Sequence, residues 1–368
     1  MTDPKRLSVL TVGGAMIDTI VQVAADRIEQ MRMTNALASF LLVEEGRKVE
    51  ALSIEQFIGG GAINAAVSMA RQGGDVATLV KLGEDLNARK ILERLSEEGV
   101  SPDFIIRASQ EATGSAVMIS SHDHNAAIFA ARGANTTLQE ADLADAAFAR
   151  DLVYVTGLSN ASADRFPAIL AKARGAGAFV ACNPGIRQLS SRAKPFFDNL
   201  ANIDLLSVNR VEAAQMVPGL VGHGHDPEGP ALDIDGPEQQ LAEQGLEAGG
   251  FSMTLTAFVA AICACGPSTV LITDGGNGAF AADAQGMHHC ATVPVTVAGT
   301  AGAGDAYAST FAFRVASGAS TADALRAATL NAASVIEQVD TQGGLLDTGA
   351  LNIRVEQAGP AVRSWAAV

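Results

Sequence analysis

Aromatic residues are scarce in this 368-residue chain, at 5% with one Trp and two Tyr, although hydrophobic residues of all kinds reach 48%. Its core must therefore be built from Ala, Val, Leu and Ile, which suits helices packed on a parallel sheet. Basic residues are in deficit: 25 Lys and Arg face 40 Asp and Glu, for a formal charge of −15. That balance argues against nucleic acid or an anionic membrane as the main partner, and leaves any phosphate site to local amides, a metal and a few basic side chains. Only four cysteines occur, Cys182, Cys263, Cys265 and Cys290, with no Cys-x-x-Cys spacing. Cys263 and Cys265 fall in an apolar helical pattern, where buried reduced thiols are expected rather than metal ligands. No stretch approaches the ~18 apolar residues of a membrane span. Gly13, Gly14 and Asp18 interrupt the first apolar run, so no region of signal-peptide type follows the N-terminus. The expectation is a cytoplasmic protein.

Glycine is the residue in surplus, at 37, and its placement carries chemistry. In Gly299-Thr300-Ala301-Gly302-Ala303-Gly304-Asp305, small residues precede a carboxylate at a predicted helix start. Small residues let backbone approach a ligand closely, and the first N–H groups of a helix have no intrahelical partners and attract an anion. Asp305, in the first turn beside them, is placed to take a proton from an attacking hydroxyl while the amides of Gly302, Ala303 and Gly304 hold a transferring phosphoryl group. An Asp that merely stabilises a glycine-rich helix start has the same local pattern. A second segment, Phe57-Ile58-Gly59-Gly60-Gly61-Ala62-Ile63-Asn64, opens another apolar helical pattern and sets an amide near its start.

These two motifs, in this order and at this separation, resemble the two signatures of the PfkB family of carbohydrate kinases, the ribokinase-like kinases. Further matches extend the likeness from about Leu7 to Gly344. Gly13-Gly14-Ala15-Met16-Ile17-Asp18 follows the first predicted strand, and the resemblance implies that Asp18 binds sugar hydroxyls, with Gly60, Gly61 and Asn64 also on the substrate. Asn209-Arg210-Val211-Glu212 matches an Asn-x-x-Glu motif that implies nucleotide binding, with Glu212 acting indirectly on magnesium. Thr273-Asp274-Gly275-Gly276-Asn277-Gly278 matches a turn implied to lie along ATP, and Asn331 falls where relatives place a residue near the adenine. Arg132-Gly133-Ala134-Asn135 and Asn183-Pro184-Gly185-Ile186-Arg187 are supporting matches. Their arginines read as structural or rim residues, although an acidic or phosphorylated substrate would need such cations. The chain departs from the family at Gly299 and Ala301, which puts activation by a monovalent cation such as potassium in doubt. The resemblance implies an ATP- and magnesium-dependent kinase of a small carbohydrate such as ribose or fructose. A nucleoside kinase of the same fold and a non-catalytic regulatory homologue are the alternatives.

Predicted strands at 8–12, 76–81, 152–156, 179–182, 205–208 and 269–273 alternate with predicted helices at 86–98, 163–174, 254–265, 303–316 and 321–339. Such alternation implies right-handed crossovers, a mostly parallel sheet covered on both faces, and ligands at the carboxyl ends of its strands, where Asp18, Asn209 and Thr273 fall. We expect one ribokinase-like α/β domain over 1–368. Segments 20–57 and 114–132 read as a small β lid, with turns at Glu44–Lys48 and His122–Asn125. A lid would exclude water from the transfer and is a candidate homodimer contact. Residues 217–250, rich in Gly, Pro and acidic residues, read as an inserted solvated loop, with His223 and His225 in it rather than on a metal.

Overall fold

The computed structural model describes residues 6–24, 29–32, 39–42, 46, 48–120, 126–232, 234 and 239–366. The two expected lid turns lie outside these residues, apart from Gly46 and Lys48. A nine-stranded sheet forms the body. From one edge, Asp75–Leu79, Ser8–Val12, Leu152–Thr156, Phe179–Asn183, Leu205–Asn209 and Thr269–Thr273 run parallel. Ala279–Asp283, Gly286–Cys290 and Val362–Ala366 then continue the sheet antiparallel.

Period-two alternation feeds two separate cores. All five residues of Leu152–Thr156 are buried. Val153 and Val155 join the core shared with the helices Phe166–Gly175, Arg210–Gly222 and Leu255–Cys265. Leu152 and Tyr154 join the opposite core, with Gly61–Arg71, Ala303–Ala316 and Thr321–Ile336. Helix faces made of Ala, Ser and Thr let these last three helices pack closely, so that a buried polar seam forms between them: Ser309 donates to Ser68 at 2.9 Å and Gln72 to Thr310 at 3.1 Å. This packing brings the two glycine-rich motifs together.

Sequence and structure part at several places. The strand predicted at 76–81 breaks at Val80, after which Lys81–Gly83 pairs with Ile106–Ala108. Residues 160–165 are a 3-10 turn, and the α-helix begins at Phe166, with Pro167 supplying a preset first-turn φ. Cys263 is exposed, contrary to expectation, because the helix Leu255–Cys265 buries Leu255, Phe258, Ala261 and Ile262 and turns its last residues outward. The 217–250 stretch is not simply a solvated loop. Its first residues complete the helix Arg210–Gly222, and the short helix Gln239–Gln244 and the hairpin Leu246–Ala248/Phe251–Met253 bury Leu241, Leu246 and Met253 in the first core. His223 Nδ1 contacts the Gly219 carbonyl at 2.6 Å, and His225 Nε2 contacts Cys265 Sγ at 3.4 Å.

A second, four-stranded sheet stands over the carboxyl edge. Met16–Val23 pairs antiparallel with Ala51–Gly59 and parallel with Gly114–Ser120, which pairs antiparallel with Ala126–Ala131. It begins earlier than predicted, at Met16, because Ser8–Val12 passes through Gly13-Gly14-Ala15 directly into it. Asn135 fixes that passage, accepting from the Ala15 N–H at 2.9 Å and donating to the Ala15 carbonyl at 2.8 Å. Asp18 therefore sits inside a strand, opposite Phe57 and Ala116.

Candidate active site

Asp305 occupies the first turn of Ala303–Ala316, behind Gly302, whose φ of 80° is left-handed. A Cβ on Gly302 would lie 2.8 Å from both Cβ and the carbonyl of Thr341, so only glycine starts the helix against that loop. The cap has no side-chain hydrogen bond. The amides of Gly304 and Asp305, as first-turn groups, have no intrahelical acceptor.

Two glycines of the other motif bring backbone up to the carboxylates of Asp18 and Asp305, and Gly60 between them packs on the Gly14–Ala15 backbone. A Cβ on Gly59 would stand 2.0 Å from Asp18 Oδ2, and one on Gly60 2.5 Å from the Gly14 carbonyl. At Gly61 a Cβ would lie 3.4 Å from Asp305 Oδ1 and 3.1 Å from Thr156 Cβ. Asn64, buried at the start of the helix, donates through Nδ2 to Asp305 Oδ2 at 2.8 Å. Its Oδ1 accepts from Gln342 Nε2 at 3.0 Å and Thr341 Oγ1 at 3.4 Å. Gln342 is held in turn by Arg94 Nε at 3.2 Å, while Arg71 donates to the Gln342 carbonyl at 2.9 Å and pairs with Glu98 at 2.7 Å. With its oxygen so occupied, the Asn64 amide must present its NH₂ to Asp305, leaving Oδ1 of that carboxylate facing Gly61.

Electrostatics distinguish these acids from surface carboxylates. Burial pushes the Asp305 carboxyl up, opposed by the Asn64 hydrogen bond. Asp18 is pushed up to about 6, by burial first and by the nearby Asp305 charge second. Glu212 is also raised, mainly by burial, although it accepts the Asn209 N–H at 3.0 Å and an N–H from Ile186. Like charges in a partly dry corner favour a proton on one of them, a feature of acid–base sites.

Beside this corner lies a cavity of about 530 Å³, walled by Val293, Val295, Val297, Ala332, Ala333 and Ile336. Asn209, Thr273, Gly275, Gly278, Ala303 and Gly304, all singled out in the sequence, line its mouth and floor. Glu212 does not line it; it closes a capping box with Asn209, which accepts the Glu212 N–H at 2.9 Å. Asn331 must be corrected. Its side chain is fully buried in the polar seam, donating to Thr310 at 2.7 Å and accepting the Leu346 N–H at 2.8 Å, while its neighbours Thr329, Ala332 and Ala333 face the cavity. Helical phase, not proximity in sequence, decides which of these residues reaches a ligand.

The pfkB family carbohydrate kinase model matches residues 26–221 and 251–348. This chain belongs to that family. It is thereby a phosphotransferase with an alcohol group as acceptor. Ribokinase of Staphylococcus aureus (strain COL) is 25% identical over 285 residues, covering 75% of this chain and 82% of the relative. Arabidopsis thaliana ribokinase, solved with ribose and ATP, superposes with a TM-score of 0.70 at 20% identity, covering 96% of this chain and all of that one. The nucleoside kinase of Burkholderia thailandensis, solved with inosine, gives 0.68 at 17%, covering 95% and 98%. Both structural likenesses show the ribokinase-like fold.

The sequence reading missed Thr341 and Gln342, which sit behind Asn64. Their signal was present: a polar, glycine-bearing stretch, Thr341-Gln342-Gly343-Gly344, directly after an apolar helix. It also missed the aliphatic wall at Val293, Val295 and Val297, whose alternation belongs to an extended segment without strand partners.

Proposed function

We propose that this carbohydrate kinase transfers the γ-phosphoryl group of ATP to a hydroxyl of a small polyol. The carrying observation is the Asn64–Asp305 hydrogen bond at 2.8 Å. It leaves one oxygen of a recessed carboxylate free between the second sheet and the large cavity. In this reading Asp305 Oδ1 takes the acceptor proton, the acceptor oxygen bonds to the γ-phosphorus, and the bond to the β-phosphate oxygen breaks to release ADP. Asp18, Gly60 and Gly61 border the acceptor. Asn64 serves mainly to aim the base. The amides at Gly302–Gly304, with that of Gly304 free of an intrahelical acceptor, hold charge on the transferring group.

The apolar cavity fits an adenine, which needs area more than polar partners. Asn209, Thr273, Gly275 and Gly278 would run beside its sugar and phosphates. Magnesium, carried on those phosphates, would neutralise their charge, with Glu212 acting on it indirectly. Among the described residues no cluster of three or more acidic, His or Cys side chains could hold a metal ion. Gly299 lies against Val339, and the amides of Ala298 and Gly299 donate to the Ile336 carbonyl at 2.9 and 3.2 Å. The departures from the family pattern at Gly299 and Ala301 are the reason to test potassium dependence.

Alternation in the second sheet puts Val117, Phe129 and Ile54 on the face opposite Asp18, and all three are exposed. We assign that face to a homodimer contact, to be tested by sedimentation of wild type against Phe129→Glu. Four free thiols suit a reducing compartment, and we place the enzyme in the cytoplasm. No helix among the described residues is long and apolar enough to cross a membrane.

The deciding assay is magnesium-dependent ADP release against sugars, sugar acids, sugar phosphates and nucleosides, with and without potassium. One strongly preferred polyol would bear the reading out. Preference for a nucleoside would move the acceptor class, and silence across the panel with ATP bound would refute it.

A further inference from the structure

A second cavity of about 320 Å³ opens at the carboxyl edge, lined in part by Arg132, Gly157, Ser159, Arg187, Gln188 and Ser191. It adjoins the acceptor corner. Gly157 directly follows Thr156, whose side chain fills the space a Cβ would need at Gly13 and Gly61, and a Cβ on Gly61 would also lie 3.4 Å from Asp305 Oδ1. On its other side Ile186, also lining this cavity, donates its N–H to Glu212.

Two guanidinium groups share this space, and among the described residues neither forms an ion pair. Arg71, Arg94, Arg174 and Arg192 instead each reach a carboxylate within 2.9 Å. Arg132 Nη1 donates to Ser159 Oγ at 2.9 Å, but its Nε is buried with no hydrogen-bond partner. Gln188 Nε2 is equally buried and unpartnered, although its Oε1 accepts the Leu158 N–H at 3.1 Å. Burial and the neighbouring Arg187 charge both weigh against the Arg132 cation. Two facing cations and two orphaned donors are a costly arrangement unless an anion fills it. Arginine forks suit the planar or tetrahedral oxygens of carboxylate and phosphate. In a chain of net charge −15, such an isolated positive hollow also attracts what the rest of the surface repels.

We propose that the Arg132–Arg187 cavity is an anion subsite of the acceptor pocket, so that the preferred acceptor is a small polyol bearing one carboxylate or phosphate ester remote from the hydroxyl that is phosphorylated. The inference rests on the kinase reading above for its orientation. Asp18 and Asp305 repel the anionic end while the arginines hold it, which turns the opposite hydroxyl toward Asp305 Oδ1.

The test uses three matched acceptors, a neutral aldose, its sugar acid and its monophosphate, with calorimetric binding and ADP release measured on wild type, Arg187→Gln, Arg132→Lys and Arg192→Gln. Hydrogen bonds to charged groups correspond to about 10- to 100-fold in affinity. Wild type should bind one anionic member tighter than the neutral one by about that factor. Arg187→Gln should collapse that ratio toward one, chiefly through KM, and Arg132→Lys should reduce it by less. Arg192→Gln, whose guanidinium already pairs with Asp164 at 2.8 Å, should leave the ratio intact. Whether acid or phosphate is preferred identifies the anion. Equal binding of neutral and anionic members, or a ratio insensitive to Arg187, overturns the subsite. Charge-dependent binding without turnover of any member would uphold the subsite and overturn the kinase reading.

Discussion

Around Asp305 the site is made of side chains held by other side chains, whereas the large cavity beside it is made of backbone turns and aliphatic walls. In the first region one hydrogen-bonded series runs from Arg94 through Gln342 and Asn64 to the carboxylate. In the second, glycines and small residues leave space and the valines exclude water. The proposed chemistry accounts for the contrast. Proton transfer requires one oxygen at one place with a tuned affinity for a proton, which only supported side chains supply. A flat heterocycle and its phosphates ask mainly for shape and amide donors. Single polar substitutions should therefore be severe in the first region and mild in the second, where changes of shape matter instead.

The sharpest way to break this contrast is Asp305→Asn. Removing the base should lower kcat by about 10²- to 10⁴-fold, with ATP affinity and the unfolding midpoint nearly unchanged. Near-normal turnover would show that the region does not work as a base. Asp18→Asn comes next, with an expected loss in kcat/KM of about 10- to 100-fold, the worth of a charge-assisted hydrogen bond to an acceptor hydroxyl. It should also stabilise the protein. The folded-state carboxyl titrates at about 6, above its ordinary 3.8, so the folded protein holds a proton that the unfolded chain releases. Wild type then loses stability as pH rises from about 4 to 6, and the Asn variant does not. A two-unit shift corresponds to about 3 kcal/mol, and half-burial reduces this to about 1–2 kcal/mol. Denaturant midpoints across that pH range, if parallel for the two proteins, would refute the assignment.

The same contrast sets what could be read in advance. The meeting of Asp305, Asn64 and the glycines was legible because close approach of backbone demands small residues in a run, and runs survive in linear sequence. Parallel strands were legible because burial on both faces demands short runs rich in Val, Leu and Ile. Asn331 was misread because its part is decided by helical phase against two neighbouring helices, which spacing from a motif does not give. Gln342 escaped because its partner, Asn64, is 278 residues away, a distance over which one sequence holds no pairing information. The charge of Arg132 and Arg187 was visible, but that neither pairs with an acid among the described residues belongs to three dimensions. Cys263 shows the converse error, an apolar pattern whose last turn runs past the edge of the core.

Within the cavity, shape should prevail over polarity, and Gly278→Ala tests this. Gly278 has φ of 92°, and a Cβ there would lie 2.2 Å from the Cys290 carbonyl, so the turn from Thr273 must move. We expect KM for ATP to rise about 10-fold, kcat to fall less than threefold, and stability to drop by about 1–3 kcal/mol. A large fall in kcat with unchanged KM would place this turn with the chemistry and erase the distinction drawn here.

The smallest expected effect concerns a residue that never meets the reacting atoms. Gln342→Leu removes the donor at 3.0 Å that fixes the Asn64 amide, while Thr341 remains on the same oxygen at 3.4 Å and Arg94 keeps Glu98 at 2.9 Å. Asn64 then samples orientations in which its NH₂ no longer faces Asp305, and kcat should fall about three- to tenfold. A purely structural role would lower stability and amplitude alone. A positioning role has a further signature: the Asn64 hydrogen bond holds the Asp305 carboxyl down against burial, so weakening it raises the proton affinity of the base. The acidic limb of the kcat–pH profile should shift to higher pH in Gln342→Leu, and activity lost at neutral pH should partly return as the pH is raised. An unshifted limb with the same loss of kcat would leave Gln342 as packing and cut the series of hydrogen bonds at Asn64.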